Sequence, residues 1–238
     1  MTSTRLPGKI LRPVLGKPLL HYQLERLQRV EEASDVIVVT TDKATDDAVV
    51  ELCDDLGISS FRGSEDNVLE RYDLAAMEFD VDTVVRVTGD CPLIDPSIVD
   101  KVISIFHSDE HAKFVTNSPE EHKGERRTYP RGMDVEVFSI MSLTEAYNEA
   151  KSAEDLEHVT AFFRSNRKRY PCSLVQSSVD RSQYRLTVDT AEDFELVRRI
   201  LESLYPKNPR FTLADIDRVL QANPEWVKLN AGIKQKHK

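Results

Sequence analysis

Residues 83–96, TVVRVTGDCPLIDP, decide the fold of this chain. Residues 83–88 are mostly β-branched and apolar, which is typical of a strand that is buried on both faces of a sheet. Gly89 ends that strand, and Asp90 follows it directly. Pro96 then begins a helical pattern that extends to residue 106, since the fixed φ of proline suits the first turn of a helix. The stretch therefore predicts a strand, a loop with a carboxylate, and a helix.

Predicted strands and helices alternate on both sides of this stretch. The other strands are predicted at residues 35–41, 58–61, 114–116, 135–138, 173–176 and 184–188. The other helices are predicted at residues 45–56, 67–79, 142–151, 155–164, 191–204 and 213–222. This alternation predicts an α/β fold with a mainly parallel, mixed sheet that is covered by helices on both faces.

The chain has no Pro/Gly/Ser linker, so we predict one domain over residues 1–226. The least regular stretch is rich in charge, proline and glycine. A long irregular segment in a compact domain is typically a binding loop, and we assign one to residues 117–134. Residues 227–238 are predicted to form a basic, frayed tail.

Composition excludes several classes of protein. The 238 residues include 32 Lys and Arg and 41 Asp and Glu, a formal net charge of −9. This balance argues against a general nucleic-acid binder but permits a local basic pocket for one small anion. No apolar run is long enough to span a membrane, and no signal pattern opens the chain. Cys53, Cys91 and Cys172 form no CxxC pair, which favours a reduced, cytoplasmic protein.

Two familiar kinds of catalytic site are also disfavoured. The histidines have no metal-ligand spacing with cysteine, which argues against a zinc site. No serine lies in a G-x-S-x-G elbow, which argues against a hydrolase of that kind.

The first candidate for binding is residues 3–9, STRLPGK. Gly8 allows backbone N–H groups to approach a phosphate, while Arg5 and Lys9 supply positive charge. The segment is not a Walker A loop, because Ser3 replaces its first glycine and Ile10 follows the lysine. An ordinary surface turn with two solvated cations is the alternative.

The second candidate is a pair of acids at predicted strand ends, Asp90 and Asp189. Ligands of open α/β sheets bind outside the carboxyl ends of the strands, and Mg²⁺ prefers one or two carboxylates together with phosphate oxygens. Each acid has a structural alternative nearby. Asp90 can be a turn acid beside Asp95, which is placed to cap the next helix. Thr190 and Asp193 resemble a capping box, which leaves Asp189 outside it.

Weaker signals come from Arg62, Gly63, Ser64 and Arg71. These residues are suited to contact a phosphate or a base. Their alternative is a turn followed by the solvated face of a helix, and for Arg71 we favour that alternative.

Three further charged or polar residues give similarly weak signals of function. Arg131 can clamp a carboxylate or lie as a rim charge. Glu157 and His158 lie in a predicted helix, where a histidine is more often structural than a ligand.

Six segments in this order resemble a known family. They are STRLPGK at 3–9, RGSEDNVLERY at 62–72, RVTGDCPLIDP at 86–96, YPRGMDVEVF at 129–138, EHV at 157–159 and RLTVDTAEDFELV at 185–197. Together they closely resemble the cytidylyltransferases of the spore-coat polysaccharide biosynthesis type. That family is related to the CMP-sugar-acid synthetases for 3-deoxy-manno-octulosonate and acylneuraminate, and the resemblance covers roughly residues 2–220.

The resemblance implies a glycosyltransferase-A-like, Rossmann-like nucleotidyltransferase fold. It implies an enzyme that couples CTP to a sugar or sugar acid with Mg²⁺, releases pyrophosphate, and is plausibly a homodimer. Arg5 and Lys9 would bind the triphosphate as catalytic residues, and Asp90 and Asp189 would be the metal ligands. Nucleotide binding is assigned to Ser3, Thr4, Gly8, Arg62, Gly63, Ser64 and Gly89. The sugar side is assigned to Arg131, Glu157 and His158.

One departure from the family pattern leaves alternatives open. Family members place a complete strand before the STRLPGK loop, whereas here the loop stands at the start. We therefore expect an N-terminally truncated domain without its first strand. A glycosyltransferase on the same fold is the first alternative, although Asp90 and Asp95, the acids that follow the predicted central strand, do not have the usual Asp-x-Asp spacing. A nucleotide-binding or partner-binding remnant without activity is the second.

Overall fold

The computed structural model describes residues 5–234. In this range the strands are β1 (Pro13–Val14), β2 (Lys17–Pro18), β3 (Ile37–Thr41), β4 (Ser59–Gly63), β5 (Thr83–Arg86), β6 (Phe114–Thr116), β7 (Glu136–Ser139) and β8 (Cys172–Leu174). The α-helices of the same range are α1 (Leu19–Leu27), α2 (Asp47–Leu56), α3 (Val68–Glu78), α4 (Pro96–Ser108), α5 (Ile140–Glu149), α6 (Ala153–Glu157), α7 (Ala161–Ser165), α8 (Ala191–Leu204), α9 (Leu213–Ala222) and α10 (Pro224–Val227). Short 3₁₀ turns lie at Lys9–Leu11, Ala44–Asp46 and Glu121–Lys123. The structure thus has the α/β architecture predicted from the sequence.

The strands form a mixed arrangement, as predicted. The largest sheet has the order β5-β7-β6-β8, and β3 pairs in parallel with β4. Strand β7 runs antiparallel to both β5 and β6, whereas β6 and β8 are parallel. The pairing is therefore less parallel than the alternation predicts. The reason is the long irregular connection after β6, which lets β7 enter between β5 and β6 in the opposite direction.

Helices α4 and α8 supply much of the main core. Val99, Val102 and Ile103 of α4 and Val197, Ile200 and Leu201 of α8 are almost fully buried. Their spacing of three and four residues puts them on one face of each helix. This packing holds the two strand-end segments after β5 and before α8 against the same side of the core.

Helix α1 and the hairpin before it were not predicted. Helix α1 begins after Pro18, and Leu20 and Leu24 pack one turn apart in a small core with Cys53 of α2. Tyr22 donates a hydrogen bond of 2.6 Å to the carbonyl of Val14. The spacing of Leu20, Leu24 and Leu27 indicates a helix. It was not recognised, because the chain begins with a polar segment.

Two predicted elements are broken in the structure. The strand predicted at 184–188 is reduced to one parallel bridge between Arg131 and Arg185. The helix predicted at 155–164 is divided into α6 and α7, and His158 leaves helical geometry at φ −114°. Thr160, which lies in the break, donates a 2.8 Å hydrogen bond to buried Glu136. At Thr160 the chain makes this tertiary contact instead of continuing as a helix.

The prediction of a frayed tail is wrong for residues 227–230. Val227 and Leu229 pack against the main core, and Asn230 is 3% exposed. Apolar side chains at these positions bury the segment despite its basic composition. Among the described residues, no helix has the length and apolar character needed to cross a membrane.

Candidate active site

The two strand-end acids are neighbours in space. Asp90 lies in the turn after β5, and Asp189 lies just before α8. Val188 donates a backbone hydrogen bond of 2.9 Å to the carbonyl of Asp90, and Thr187 Oγ1 donates one of 3.1 Å to the same oxygen. These two bonds tie the acid-bearing segments together, although their acids are far apart in the sequence.

Lys9 joins the two carboxylates. Its Nζ lies 2.9 Å from Asp90 Oδ2 and 2.8 Å from Asp189 Oδ1. Arg5 Nη2 lies 3.1 Å from Asp189 Oδ2. We call Arg5, Lys9, Asp90 and Asp189 the strand-end cluster. The structure therefore brings together the predicted phosphate-binding cations and the predicted metal ligands.

Gly8 positions Lys9 in this cluster. It has φ 65° and lies at the N-terminus of the 3₁₀ turn Lys9–Leu11. This left-handed conformation favours glycine, because a Cβ would be strained there. Gly89 lies beside the turn, where an added Cβ would be 3.9 Å from Ile10 Cγ2. Ser3 and Thr4, the other predicted residues of this loop, lie outside the described residues.

The charges of the cluster reinforce one another. Burial alone would lower the pKa of Lys9, but the charges and hydrogen bonds of Asp90 and Asp189 outweigh it, and the pKa is raised. Burial alone would raise the pKa of Asp189, but Lys9 and Arg5 outweigh it, and the pKa is lowered. Near neutral pH, Lys9 is therefore cationic and Asp189 is ionised.

Arg185 and Asp193 support Asp189 from beneath. Arg185 Nη2 donates a 2.7 Å hydrogen bond to Asp189 Oδ2, and its Nε donates one of 2.9 Å to Asp193 Oδ1. Sequence reasoning assigned no site role to either residue. The spacing of four residues between Arg185 and Asp189 was a signal for this ion pair. It was not recognised, because residues 184–188 were predicted to form a strand.

Thr88 and Gln23 hold Asp90 on the other side. Thr88 Oγ1 donates a 2.6 Å hydrogen bond to Asp90 Oδ1. Gln23 of α1 is buried and donates from Nε2 to the carbonyl of Thr88 at 2.8 Å. No sequence signal identified Gln23, because its helix was not predicted.

The capping interpretations are confirmed. Thr190 and Asp193 form a reciprocal capping box at the start of α8. Asp95 accepts a 3.1 Å hydrogen bond from the backbone N–H of Ser97 at the start of α4. Asp95 also accepts one of 2.6 Å from the N–H of Leu213. These acids thus have structural roles, while Asp90 and Asp189 are oriented toward cations.

Residues 62–64 and Arg71 brace the end of β4. Arg62 donates to the carbonyls of Thr41 and Lys43 at 3.0 and 2.8 Å. Arg71 donates to the carbonyl of Ser64 at 2.6 Å and packs so closely on Gly63 that an added Cβ would lie 2.9 Å from its Cγ. The prediction that Arg71 lies on a solvated helix face is therefore wrong. A nucleotide-binding role for Arg62, Gly63 and Ser64 stays a prediction.

Arg131 is already paired within the predicted binding loop. Its Nη2 lies 2.8 and 3.0 Å from the two carboxylate oxygens of Glu121. Its backbone carbonyl accepts a 2.7 Å hydrogen bond from Leu186. At the next residue, Gly132 has φ +95°, and an added Cβ would lie 2.4 Å from the backbone nitrogen of Thr187. The loop is thus fixed against the segment that leads to Asp189.

The other two residues assigned to the sugar side lie at the end of α6. Glu157 is exposed, and His158 is half-buried. The backbone N–H of His158 donates to the carbonyl of Glu154 at 2.9 Å. Their assigned role stays a prediction.

Comparisons with known proteins place this geometry in context. The profile of the cytidylyltransferase family matches residues 1–223. An uncharacterised protein of Methanocaldococcus jannaschii is 31% identical over 98% of this chain and 92% of its own length. The spore coat polysaccharide biosynthesis protein SpsF of Bacillus subtilis is 29% identical over 94% of this chain and 92% of its own.

A solved structure is similar over the whole described range. A cytidylyltransferase from Leptospira borgpetersenii serovar Hardjo-bovis has a TM-score of 0.88 and 32% identity. The match covers 100% of this chain and 95% of that one.

Proposed function

The chain belongs to the cytidylyltransferase family, and on that premise we propose that it couples CTP to a sugar or sugar acid and releases pyrophosphate. The observation that carries the proposal is the convergence of Asp90 and Asp189 on Lys9 beside Arg5. This site combines the oxygen ligands and the fixed positive charge that chemistry on a triphosphate needs. The name of the Bacillus subtilis relative supports a role in surface polysaccharide biosynthesis.

The carboxylates fit a magnesium ion. Asp90 Oδ2 and Asp189 Oδ1 both lie within 3 Å of one cationic nitrogen, so the two oxygens converge on a single point. Mg²⁺ is commonly held by one or two carboxylates, with phosphate oxygens and water as the other ligands. The described residues contain no group of three or more His, Cys, Asp or Glu that could hold a metal, so phosphate oxygens and water would have to supply the other ligands. When bound, Mg²⁺ supplies Lewis-acid neutralisation of phosphate charge.

The protein's own contribution to the reaction is positioning and charge. A hydroxyl oxygen of the sugar forms a bond to the α-phosphorus of CTP, the bond from that phosphorus to the bridging oxygen of pyrophosphate breaks, and the hydroxyl proton is released to water. Lys9 and Arg5 stabilise the negative charge that grows on the leaving pyrophosphate. Asp90 and Asp189 raise the pKa of Lys9 and keep it cationic while it contacts them. The rigid support of Asp90 by Thr88 and of Asp189 by Arg185 reduces reorganisation during the reaction.

The loop at 117–134 is the proposed sugar side. Arg131 already binds one carboxylate, that of Glu121, through one guanidinium nitrogen. A substrate carboxylate has the same chemistry as Glu121, so a sugar acid would compete for Arg131. The ability of Arg131 to bind a carboxylate is the basis for proposing a sugar acid as one substrate class.

The test is pyrophosphate release from CTP with a panel of sugars and sugar acids. We expect release that requires both CTP and an acceptor, with ATP, GTP and UTP less effective. Release of a nucleoside diphosphate from a nucleotide sugar would instead support the glycosyltransferase alternative. Tight CTP binding with no turnover on any acceptor would support the inactive remnant.

A further inference from the structure

Asp193 is a buried carboxylate directly beneath the strand-end cluster. It is 0% exposed. Its Oδ2 accepts hydrogen bonds from the backbone N–H groups of Asp189 and Thr190 at 3.0 and 3.1 Å. Its Oδ1 accepts the 2.9 Å bond from Arg185 Nε. Asp193 therefore fixes both the backbone of Asp189 and the guanidinium that contacts the Asp189 carboxylate.

Asn230 reaches this carboxylate from the C-terminal segment. It is 3% exposed, and its Nδ2 donates to Asp193 Oδ1 at 2.8 Å and to the carbonyl of Arg185 at 2.9 Å. It lies beyond residues 1–223, the range that the family profile matches. One amide thus holds both members of the Arg185–Asp193 pair.

We propose that Asn230 is a positioning residue for the metal-binding carboxylate Asp189; the metal role itself rests on the proposed function. Asn230 orients Asp193 and Arg185, and Arg185 orients the Asp189 carboxylate. Partners outside the direct ligands fix ligand orientation, and their loss weakens metal binding. The C-terminal segment completes the site in this way.

Anchoring of the C-terminal segment does not by itself explain why residue 230 has an amide side chain. Val227 and Leu229 already pack against the main core. Burial of a polar amide costs free energy unless its hydrogen bonds are made, so an apolar residue would anchor position 230 at least as well. The two donated bonds to the Arg185–Asp193 pair are what an amide adds there.

The test compares Asn230→Leu with Asn223→Leu. Asn223 is the matched control, because its Nδ2 donates 2.8 Å to the carbonyl of Val219 at the end of α9, away from the Arg185–Asp193 pair. Binding of Mn²⁺ in the presence of CTP, without an acceptor, is measured by electron paramagnetic resonance, with Mn²⁺ and CTP alone as the blank. Asn230→Leu removes both donated bonds, and we expect the loss of the one to the Asp193 carboxylate to weaken Mn²⁺ binding about fivefold. Asn223→Leu should leave it within about twofold.

A second measurement excludes a purely global effect. Amide hydrogen exchange at Asp189 and Thr190 should accelerate in Asn230→Leu, while exchange within α9 stays unchanged. If Asn230→Leu does not fold, Asn230→Ser provides the same comparison with a smaller side chain. Unchanged Mn²⁺ affinity in a folded Asn230 variant overturns this proposal alone. Failure of the unaltered protein to bind Mn²⁺ overturns the metal role of Asp189 and with it this proposal.

Discussion

The strand-end cluster and a second charged cluster are both built from carboxylates held by cations, but they draw on different parts of the fold. The second cluster, which we call the Glu136 cluster, consists of Arg86, Glu136, Thr160 and Arg164. Arg86 and Glu136 are cross-strand partners in the register of β5 and β7. Glu136 Oε1 accepts 2.8 Å hydrogen bonds from both Thr160 and Arg164, while Oε2 pairs with Arg86. The Glu136 cluster therefore lies largely within regular elements.

The strand-end cluster lies where elements stop. Lys9 is separated from Asp90 by 81 residues and from Asp189 by 180. Two carboxylates that converge repel each other unless a cation lies between them. In the Glu136 cluster, one carboxylate lies between two guanidinium groups, those of Arg86 on β5 and Arg164 on α7. Similar side chains thus stabilise the fold in one place and form the proposed binding site in the other. The Glu136 cluster joins two paired strands to a helix, whereas the strand-end cluster joins segments outside the strands.

Glu136→Gln gives the largest expected effect. It leaves Arg86 and Arg164 without their carboxylate in a buried setting, and we expect a loss of about 3–5 kcal/mol in the free energy of unfolding. Urea denaturation measures this loss. Glu202→Gln removes an exposed partner of Arg198 on α8, and should cost less than about 1 kcal/mol. Equal losses in the two variants would contradict a structural role for the Glu136 cluster.

Asp189→Asn should affect turnover more than stability. We expect the kcat for CTP-dependent pyrophosphate release to fall about 100-fold, because a proposed ligand of Mg²⁺ loses its charge. The free energy of unfolding should change less than in Glu136→Gln.

Asp100→Asn is the control for this variant. Asp100 lies outside the strand-end cluster and accepts hydrogen bonds from the backbone N–H groups of Glu31 and Glu32. The kcat of this variant should therefore stay near that of the unaltered protein. Full turnover by Asp189→Asn would remove this residue from the proposed mechanism.

Low pH gives the smallest of the expected effects, a decrease in the free energy of unfolding. Burial alone would raise the pKa of Glu136, but Arg86 and Arg164 lower it from 4.5 to about 2. Because the unfolded chain then binds more protons than the folded one, stability is fully present above about pH 4.5 and is lost as the pH falls toward 2. We expect the free energy of unfolding to be about 2 kcal/mol lower at about pH 3 than at about pH 5.

Glu136→Gln should reduce this acid sensitivity, since it removes the titrating group. The lowered pKa of Asp189 contributes in the same direction at the lowest pH, so some sensitivity should persist. Denaturation at the two pH values measures the difference. An acid response that is identical in Glu136→Gln and the unaltered protein would assign the effect to other carboxylates.

The sequence by itself determined the segments that are stabilised locally. Helices α8 and α9 have the predicted bounds, and each begins with a capping box. Those hydrogen bonds join residues only three apart, and the apolar faces follow the helical period, so both signals are present in short stretches of sequence. The positions of Asp90 and Asp189 after buried runs were visible for the same reason.

Only the tertiary structure decided how distant groups meet. The placement of Lys9 between two carboxylates, the support of Arg185 by Asn230 and the division of the helix near Thr160 all depend on contacts between remote segments. Such contacts form when packing of the core overcomes the entropy of closing long loops, and no local spacing records the result. The packing of residues 227–230 belongs to this class, because the contacts of Val227, Leu229 and Asn230 with other elements outweigh the basic composition of the segment.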